Sequence, residues 1–466
     1  MKSKKALTEG IRRLTAFALA SVGAFSLFSS CTMRETVSET KITLYEAALV
    51  PAIMDKTIES TARIEFPAEE TPSLTSESLE WIELYENTHG AGSASEVILN
   101  EKEISIFSRD IAEKSPACTD MRNPYHSISE DKLRAMLGKY AVPQGEYYDK
   151  TGRLITREEI TEIMSNIAAD DIQEKNSTVK AVITERCSLK SLPTELDFFA
   201  RGDTYYSAIQ ESELIPSFPV LKLHESKDGK FWFVQSYYYI GWIPASCAAV
   251  CSDDEYRFYA NPDRYVTVIE PYTMIGDVRY DMGAFLPYVG ENDTSFTVRL
   301  PKRGEGGKLY FTEETVNRDA AVYGRLPYTT EYFYSQAFKY IGTEYGWGGA
   351  GGGVDCSGFV CSVFRSFGIY LPRNTGDQRL ASGEYHNLDG YSKHDVIEVF
   401  ASLRYPAAIH RPGHVMLFLG LKDGVPHIIH APTGGEKVSA AALTYTDNLQ
   451  SVSEIVPWSE EMPVSE

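Results

Sequence analysis

The residues best suited to chemistry lie in the stretch 345–361, where a glycine-rich loop leads into Asp355-Cys356-Ser357-Gly358. Apolar residues at helical spacing follow the cysteine, and Gly368 stands where a helix-ending glycine is expected. Cys356 is therefore predicted in the first turn of a helix, where free N–H groups and the dipole favour an anion. We expect this position to lower the pKa of the thiol and make Cys356 a nucleophile. The alternative is a small buried cysteine on a core helix.

Two histidines of a later stretch could complete a catalytic set. The pattern of residues 411–420 predicts a strand that begins near His414, and residues 426–432 predict a second strand that contains His430. Lys422-Asp423-Gly424 between them is a hairpin signal. Two antiparallel strands joined in this way would place the two histidines side by side.

The chemistry that this arrangement suggests is nucleophilic catalysis. Cys356 would attack a carbonyl, His414 would act as the base, and His430 would orient that base. His427 is a rival to His430, but strand alternation places these two side chains on opposite faces. Three further histidines have no motif around them and are interpreted as surface residues: His386, His394 and His410.

In combination and order, these motifs resemble the NlpC/P60 family of cysteine peptidases. The resemblance covers roughly residues 330–440 and rests on Tyr345-x-Trp347-Gly348-Gly349, Asp355-Cys356-Ser357-Gly358-Phe359, Gly413-His414-Val415 and His430-Ala431. It implies a papain-like α+β domain that cleaves cell-wall peptides next to γ-linked D-glutamate, with a catalytic set of Cys356, His414 and His430. It also implies that no metal or organic cofactor is needed.

The resemblance extends to the substrate cleft. Tyr345, Trp347, Asp355 and Ser357 would line it near the thiol, and Asp355 could meet a positive substrate amine. In relatives that release cell-wall dipeptides, a loop after the cysteine helix helps to hold the substrate, and here that loop contains Asn374 and Thr375. Those relatives often have Asp at the position of Asn374, whose neutral amide cannot form an ion pair with an amine.

The beginning of the chain resembles an export signal. Lysines and arginines precede an apolar run from Leu14 to Phe28, and Ser29-Ser30-Cys31 closes it. The run is short for a membrane span. The cysteine after two small residues resembles a bacterial lipoprotein signal, with Cys31 lipidated after cleavage, and ordinary secretion is the alternative. We expect an exported protein anchored to a bacterial membrane, facing the periplasm or the cell surface.

Composition and cysteine count limit the other possibilities. The net charge of −20 argues against a nucleic-acid partner, because phosphate binding needs a basic surface. Without Cys31 and Cys356, five of the 7 cysteines remain, an odd number that leaves at least one unpaired. Cys247 and Cys251 are interpreted as packing residues, with a disulfide left open.

The length allows several domains, which we predict from pattern changes along the chain. Asp228-Gly229 is a hairpin signal, and the strand end Gly241-Trp242-Ile243-Pro244 resembles a bacterial SH3-like barrel. Possible capping boxes at Ser127/Glu130 and Thr156/Glu159 predict helices before it. The predicted fold is multidomain α+β: signal peptide 1–30, tether and helical stabilising region 31–175, SH3-like barrels 176–258 and 259–325, and papain-like peptidase domain 326–466.

The aromatic cluster Tyr237–Tyr239 is a candidate contact from the first barrel to the substrate. Consecutive strand residues face opposite sides, so we expect at least one of these rings to face outward, and Tyr239 is a predicted substrate-binding residue.

The predicted function is cleavage of the γ-D-glutamyl–diamino acid bond in peptidoglycan stem peptides with a free N-terminal L-Ala. The alternatives are hydrolysis of intact polymeric peptidoglycan and a non-catalytic wall-binding lipoprotein that acts through its SH3-like modules. The identity of the diamino acid, diaminopimelate or Lys, and the oligomeric state are left open.

Overall fold

The structure is a computed structural model that describes residues 74–140, 144–381, 383–434, 436–444 and 448–458. The predicted signal peptide, residues 1–30, and the lipidation candidate Cys31 lie outside these residues and stay predictions. None of the helices in the described part of the chain combines the length and the apolar character needed to cross a bilayer.

Helices precede the β-rich part of the described chain. They are α1 (Ser76–His89), α2 (Glu101–Lys114), α3 (Glu130–Leu137) and α4 (Arg157–Asn166). The capping box predicted at Thr156 and Glu159 is confirmed at the start of α4. The one predicted at Ser127 is wrong, because Ser127 lies in β1 (Ser127–Ser129), which pairs with β2 (Lys175–Ser177). Ser129 therefore caps α3 instead.

The first two helices contribute to the core of the C-terminal module. Trp81 of α1 and Phe107 of α2 belong to the same buried cluster as Phe359 and Val415. The indole of Trp81 also lies 5.2 Å from the ring of His427. Because apolar burial is the main favourable term in folding, these helices stabilise the module that contains the predicted catalytic residues.

The first β module is an antiparallel sheet in the order β5-β4-β8-β7-β6-β3-β9. Its strands are β3 (Val179–Ile183), β4 (Cys187–Lys190), β5 (Gln210–Leu214), β6 (Pro219–Glu225), β7 (Phe231–Gln235), β8 (Ile240–Pro244) and β9 (Ala248–Val250). Helix α5 (Asp253–Ala260) leads out of it.

The second β module has a five-stranded sheet, ordered β15-β14-β13-β10-β16, and a ribbon of β11 and β12. The strands are β10 (Tyr265–Val268), β11 (Tyr272–Ile275), β12 (Val278–Asp281), β13 (Phe285–Glu291), β14 (Ser295–Arg303), β15 (Leu309–Asn317) and β16 (Ala321–Tyr323). One continuous hydrophobic cluster, which includes Trp242 and Phe296, joins the two modules. The two modules therefore share one hydrophobic core.

The C-terminal module places a sheet, ordered β17-β22-β18-β19-β20-β21, between helices. Its elements are α6 (Thr330–Phe338), α7 (Cys356–Arg365), α8 (Thr375–Gln378), β17 (Glu384–Asn387), α9 (Lys393–Ser402), β18 (Ala407–Arg411), β19 (His414–Lys422), β20 (Val425–His430), β21 (Ser439–Ala442) and β22 (Ser451–Glu454). Val415 packs with Phe359 of α7, whereas Met416 packs with Phe400 of α9. The alternation along β19 thus builds one core on each face.

The three tyrosines at 237–239 do not follow the predicted alternation. They lie in the connection between β7 and β8, where the period-two rule for strands does not apply. Tyr238 and Tyr239 are buried, and Tyr237 is half-buried with its hydroxyl accepting a hydrogen bond from Arg365 of α7 at 3.2 Å. The expectation of an outward ring is wrong, because the C-terminal module covers this connection.

Candidate active site

Cys356 is the first residue of α7, as its sequence context predicts. Asp355 is the N-cap, and its carboxylate accepts a hydrogen bond from the Gly358 N–H at 2.7 Å. The thiol is 6% exposed, and its sulfur lies 3.8 Å from the Thr375 hydroxyl at the start of α8. The Cys356 and Ser357 N–H groups of the first helical turn have no partner within the helix and are available to a developing negative charge.

His414 and His430 lie side by side, as the predicted hairpin requires. His414 begins β19 and His430 ends β20, and the two strands meet through a tight turn at Asp423 and Gly424 with φ of 53° and 75°. His414 Nε2 lies 2.8 Å from His430 Nδ1. By contrast, the rival His427 lies on the opposite face, against α1.

The second nitrogen of His414 is the one left for the thiol. His414 Nδ1 is buried and has no hydrogen-bond partner among the described residues. If His414 donates its Nε2 proton to His430, Nδ1 keeps its lone pair and can act as a base. The N–H of Val415, the next residue along β19, lies close to the Cys356 sulfur. His414 and the thiol are therefore neighbours.

The protonation states at this site differ from the simple helix-terminus expectation. Burial raises the pKa of the Cys356 thiol, and the Asp355 carboxylate raises it further, against the opposing effects of Val415 and Thr375. Burial also lowers the pKa of His414 to about 3 and that of His430 to about 4. The expected lowering of the thiol pKa is therefore wrong, and thiol and imidazole are both neutral. A thiol that acts as a nucleophile here would have to pass its proton to His414 as the sulfur attacks.

Asp355 is not free to meet a substrate amine. Its two carboxylate oxygens accept bonds from Arg373 Nη1 and Nη2 at 2.9 and 2.6 Å, and one also accepts the Gly348 N–H at 2.9 Å. Arg373 Nη1 donates in addition to the Ser357 hydroxyl at 2.8 Å. Asp355 and Ser357 thus hold the start of α7 in place, and the amine contact must be sought elsewhere.

The two β modules hold the glycine-rich loop that precedes Cys356. Arg186 of the first module donates to the Gly349 carbonyl at 3.0 Å, and Arg279 of the second donates to the Gly352 carbonyl at 2.9 Å. Asp281 accepts from both arginines, at 2.9 and 2.7 Å. Gly352 has φ of 79°, and a Cβ there would lie 2.5 Å from Arg279 Nη1, so this contact requires glycine.

Aromatic rings cluster beside the glycine-rich loop. Trp347 is 40% exposed and packs edge-on against Tyr206 of the first module at 5.5 Å, and Tyr345 lies 6.3 Å from Tyr206. Burial raises the pKa of Tyr345, and the neighbouring Asp355 contributes in the same direction. The Tyr206 hydroxyl accepts a hydrogen bond from the Gly434 N–H at 2.8 Å. Tyr206 has no local sequence motif, which is why it is not among the predicted residues.

A carboxylate from the first module lies near the loop that follows the cysteine helix. Tyr239 donates its hydroxyl proton to Glu211 at 2.5 Å, and the exposed Asn374 lies close to the same hydroxyl. Burial raises the pKa of Glu211, against the effect of the Tyr239 hydrogen bond. Next to Asn374 in the chain, Thr375 contacts the Cys356 sulfur. Tyr239 is among the residues predicted from the sequence. Glu211 is not, because nothing around residue 211 distinguishes it from any other strand glutamate.

Comparison with known proteins agrees with this geometry. Residues 342–453 match the model of the NlpC/P60 family, and residues 197–244 match the model of an SH3 domain of the SH3b1 type. The chain carries an NlpC/P60 domain. The multidomain α+β fold predicted from sequence, with an SH3b domain ahead of an NlpC/P60 cysteine peptidase domain, is confirmed.

Two curated relatives match 165 residues, and both are described as gamma-D-glutamyl-L-lysine dipeptidyl-peptidase. The one from Bacillus subtilis (strain 168) is 34% identical over 34% of this chain and 52% of its own length. The one from Bacillus cereus (strain ATCC 10987 / NRS 248) is 28% identical over 34% of this chain and 44% of its own length. The chain spans about half the length of these relatives.

One solved structure of similar fold is an NlpC/P60 endopeptidase from Photobacterium damselae subsp. piscicida. It superposes with a TM-score of 0.65 over 80% of this chain and 97% of its own, at 18% sequence identity. At that identity the likeness concerns the fold alone.

His410 of the NlpC/P60 domain was expected at the surface, and that expectation is wrong. The residue is 1% exposed, and neither ring nitrogen has a hydrogen-bond partner among the described residues. It lies on β18 opposite Val415 and Ser451, in the middle of the sheet. Burial lowers its pKa to about 3, with a smaller effect in the same direction from Arg379. The imidazole is therefore neutral in the folded protein.

We expect His410 to make folding sensitive to acid. Because its folded pKa lies below the unfolded value of 6.5, the unfolded state binds more protons, and stability falls as the pH drops below about 6.5. Between pH 7 and pH 5, protonation of this single group in the unfolded state lowers the free energy of unfolding by about 2 kcal/mol. Replacing His410 by Val should reduce the loss of stability over that range by this amount.

Chemical denaturation of the wild type and the variant at both pH values measures this difference. The exposed His394, changed to Gln, is the matched control and should retain the wild-type pH dependence. An equal pH dependence in His410→Val and in the wild type would show that His410 is not the group that titrates.

Proposed function

We propose that this protein is a cysteine endopeptidase that hydrolyses the γ-D-glutamyl–diamino acid bond of peptidoglycan stem peptides. The observation that carries the proposal is the arrangement of Cys356, His414 and His430 within an NlpC/P60 domain. The names of the two curated relatives support the choice of this bond as the one that is cleaved. Peptidoglycan-derived peptides are then the substrates that bind in the cleft.

The proposed reaction uses only side chains and backbone of this chain. The Cys356 thiol passes its proton to His414 Nδ1 as the sulfur attacks the γ-carbonyl carbon of D-glutamate. The Cys356 N–H at the start of α7 stabilises the oxyanion. His414 then gives the proton to the amine of the leaving diamino acid, and water hydrolyses the acyl-enzyme. His430 holds the His414 ring in the tautomer that this sequence of transfers requires.

We propose further that the enzyme selects peptides with a free N-terminal L-Ala. The proposal is supported by the contacts of the first β module: Glu211 and Asn374 lie close to the Tyr239 hydroxyl, and Thr375 contacts the Cys356 sulfur. A partly buried carboxylate that closes one end of the cleft would be a suitable partner for an ammonium group, and it would exclude a chain that continues in that direction. Since Asp355 is occupied by Arg373, Glu211 is the carboxylate that we assign to this role.

The test compares L-Ala-γ-D-Glu-L-Lys with the same peptide acetylated at its amine. We expect the free peptide to be cleaved at least about 100-fold more efficiently, because acetylation removes the charge and adds bulk where Glu211 closes the cleft. The variant Glu211→Gln should lose most of this preference through slower cleavage of the free peptide. The exposed Glu185 of the same module, changed to Gln, is the matched control.

The outcomes separate the alternatives. Equal cleavage of both peptides by the wild type would contradict the closed-end cleft and favour a hydrolase of polymeric peptidoglycan. Cleavage of neither peptide, with retained binding to purified cell walls, would favour a non-catalytic wall-binding protein that acts through its SH3b domain. Mass spectrometry of the products identifies the bond that is broken.

A further inference from the structure

Arg411 extends the row of basic groups at the active site. It is the last residue of β18 and pairs directly with His414 across the β18–β19 ladder. Directly paired residues project from the same face of a sheet, so Arg411 flanks His414 on the side away from His430. Three basic side chains thus follow one another across three neighbouring strands.

This arginine is exposed and makes no ion pair or side-chain hydrogen bond within the described residues. It nevertheless acts electrostatically on both histidines and lowers the pKa of each. A cation beside a base that must become an imidazolium opposes that step. This unfavourable effect on the protonation of His414 disappears if an anion neutralises Arg411 while the substrate is bound.

The proposed reaction determines which part of the substrate lies there. His414 protonates the amine of the leaving diamino acid, so the α-carbon of that residue must be close to His414 in the acyl-transfer step. A carboxylate on this residue is therefore within the region that Arg411 can reach. The planar guanidinium donates two parallel N–H groups, a geometry that matches a carboxylate.

We infer that Arg411 is a specificity-determining residue that binds a carboxylate of the leaving diamino acid, an assignment that rests on the proposed function. Two carboxylates have this chemistry: the α-carboxylate of a diamino acid at the C-terminus of a tripeptide, and the second carboxylate of diaminopimelate. In either case the bound anion neutralises Arg411 and favours protonation of His414. Peptides in which the leaving residue bears no carboxylate should be poor substrates.

Three peptides test the assignment. The first is L-Ala-γ-D-Glu-L-Lys with a free carboxylate, and the second is its C-terminal carboxamide. The third contains diaminopimelate with its α-carboxylate as a carboxamide and its second carboxylate free. We expect the wild type to cleave at least one of the two carboxylate-bearing peptides about tenfold or more faster than the lysine carboxamide, measured as kcat/KM.

Substitutions then connect the preference to this residue. Arg411→Gln should remove the preference: the preferred peptide should be cleaved more slowly, and the lysine carboxamide somewhat faster, because the uncompensated cation beside His414 is gone. Arg411→Lys keeps the charge but not the two-pronged geometry and should retain part of the preference. Arg404→Gln is the control, because Arg404 is an exposed arginine of the same domain that forms hydrogen bonds within the described residues only through its backbone.

Each outcome decides the assignment. A preference for the first peptide that Arg411→Gln removes identifies the α-carboxylate, and one for the third identifies the second carboxylate of diaminopimelate. Wild-type cleavage with no preference, or an equal loss on all three peptides in Arg411→Gln, overturns the role of Arg411 and leaves the proposed function intact. A wild type that cleaves none of the three overturns the proposed function, and the assignment with it.

Discussion

Replacing Cys356 by alanine is expected to reduce cleavage of stem peptides by about 10⁴-fold or more, because the acyl-enzyme can no longer form. The fold should be retained, since Asp355 and Arg373, which hold the start of α7, remain in place. Liberation of new amine groups from L-Ala-γ-D-Glu-L-Lys measures the activity, and a thermal unfolding curve measures the fold.

A second buried cysteine on the same helix provides the control. Cys361 lies deeper in α7, with its sulfur 3.2 Å from Gln378 Nε2 and 3.3 Å from the Pro372 carbonyl oxygen. Cys361→Ala removes a thiol of similar burial without touching the histidines, so most of the activity should remain. Wild-type turnover by Cys356→Ala would disprove the thiol mechanism.

Replacing Arg373 by alanine is expected to destabilise the protein by about 3–5 kcal/mol, because a buried carboxylate would be left without its partner. Arg373 is buried, holds both oxygens of Asp355 and also donates to Ser212 of the first β module at 2.9 Å. Its loss therefore disturbs both the start of α7 and the contact between modules. We expect peptide cleavage to fall together with stability, and chemical denaturation measures the latter.

The double variant Asp355→Ala/Arg373→Ala distinguishes the ion pair from simple packing. Removing both partners also removes the uncompensated charge, so the double variant should be more stable than Arg373→Ala alone. Equal or greater loss of stability in the double variant would mean that an unpaired Asp355 is not the source of the effect. Arg373→Lys keeps a charge but not the paired geometry and should lie between the wild type and Arg373→Ala.

Several features of the protein could be predicted from the sequence because short-range rules determine them. The turn at Asp423-Gly424 follows from residues that tolerate positive φ, and it places His414 next to His430. The apolar stripe after Cys356 predicts a helix with Cys356 in its first turn, and in the structure Asp355 caps that helix. In both cases, residues within a few positions of each other determine the local backbone conformation, so a short stretch of sequence is enough to predict it.

The surroundings of these residues were decided only by the tertiary structure. Glu211 and Tyr206 lie near residues of the NlpC/P60 domain because the SH3b module packs against it, and no local pattern marks either one. His410 has no motif around it that predicts burial, yet both faces of its sheet are covered. Burial also reverses the expected shift of the thiol pKa at Cys356. The sequence alone thus predicts the proposed catalytic set. Its electrostatics are decided only by the packed modules, because desolvation and ion pairing depend on which distant segments meet.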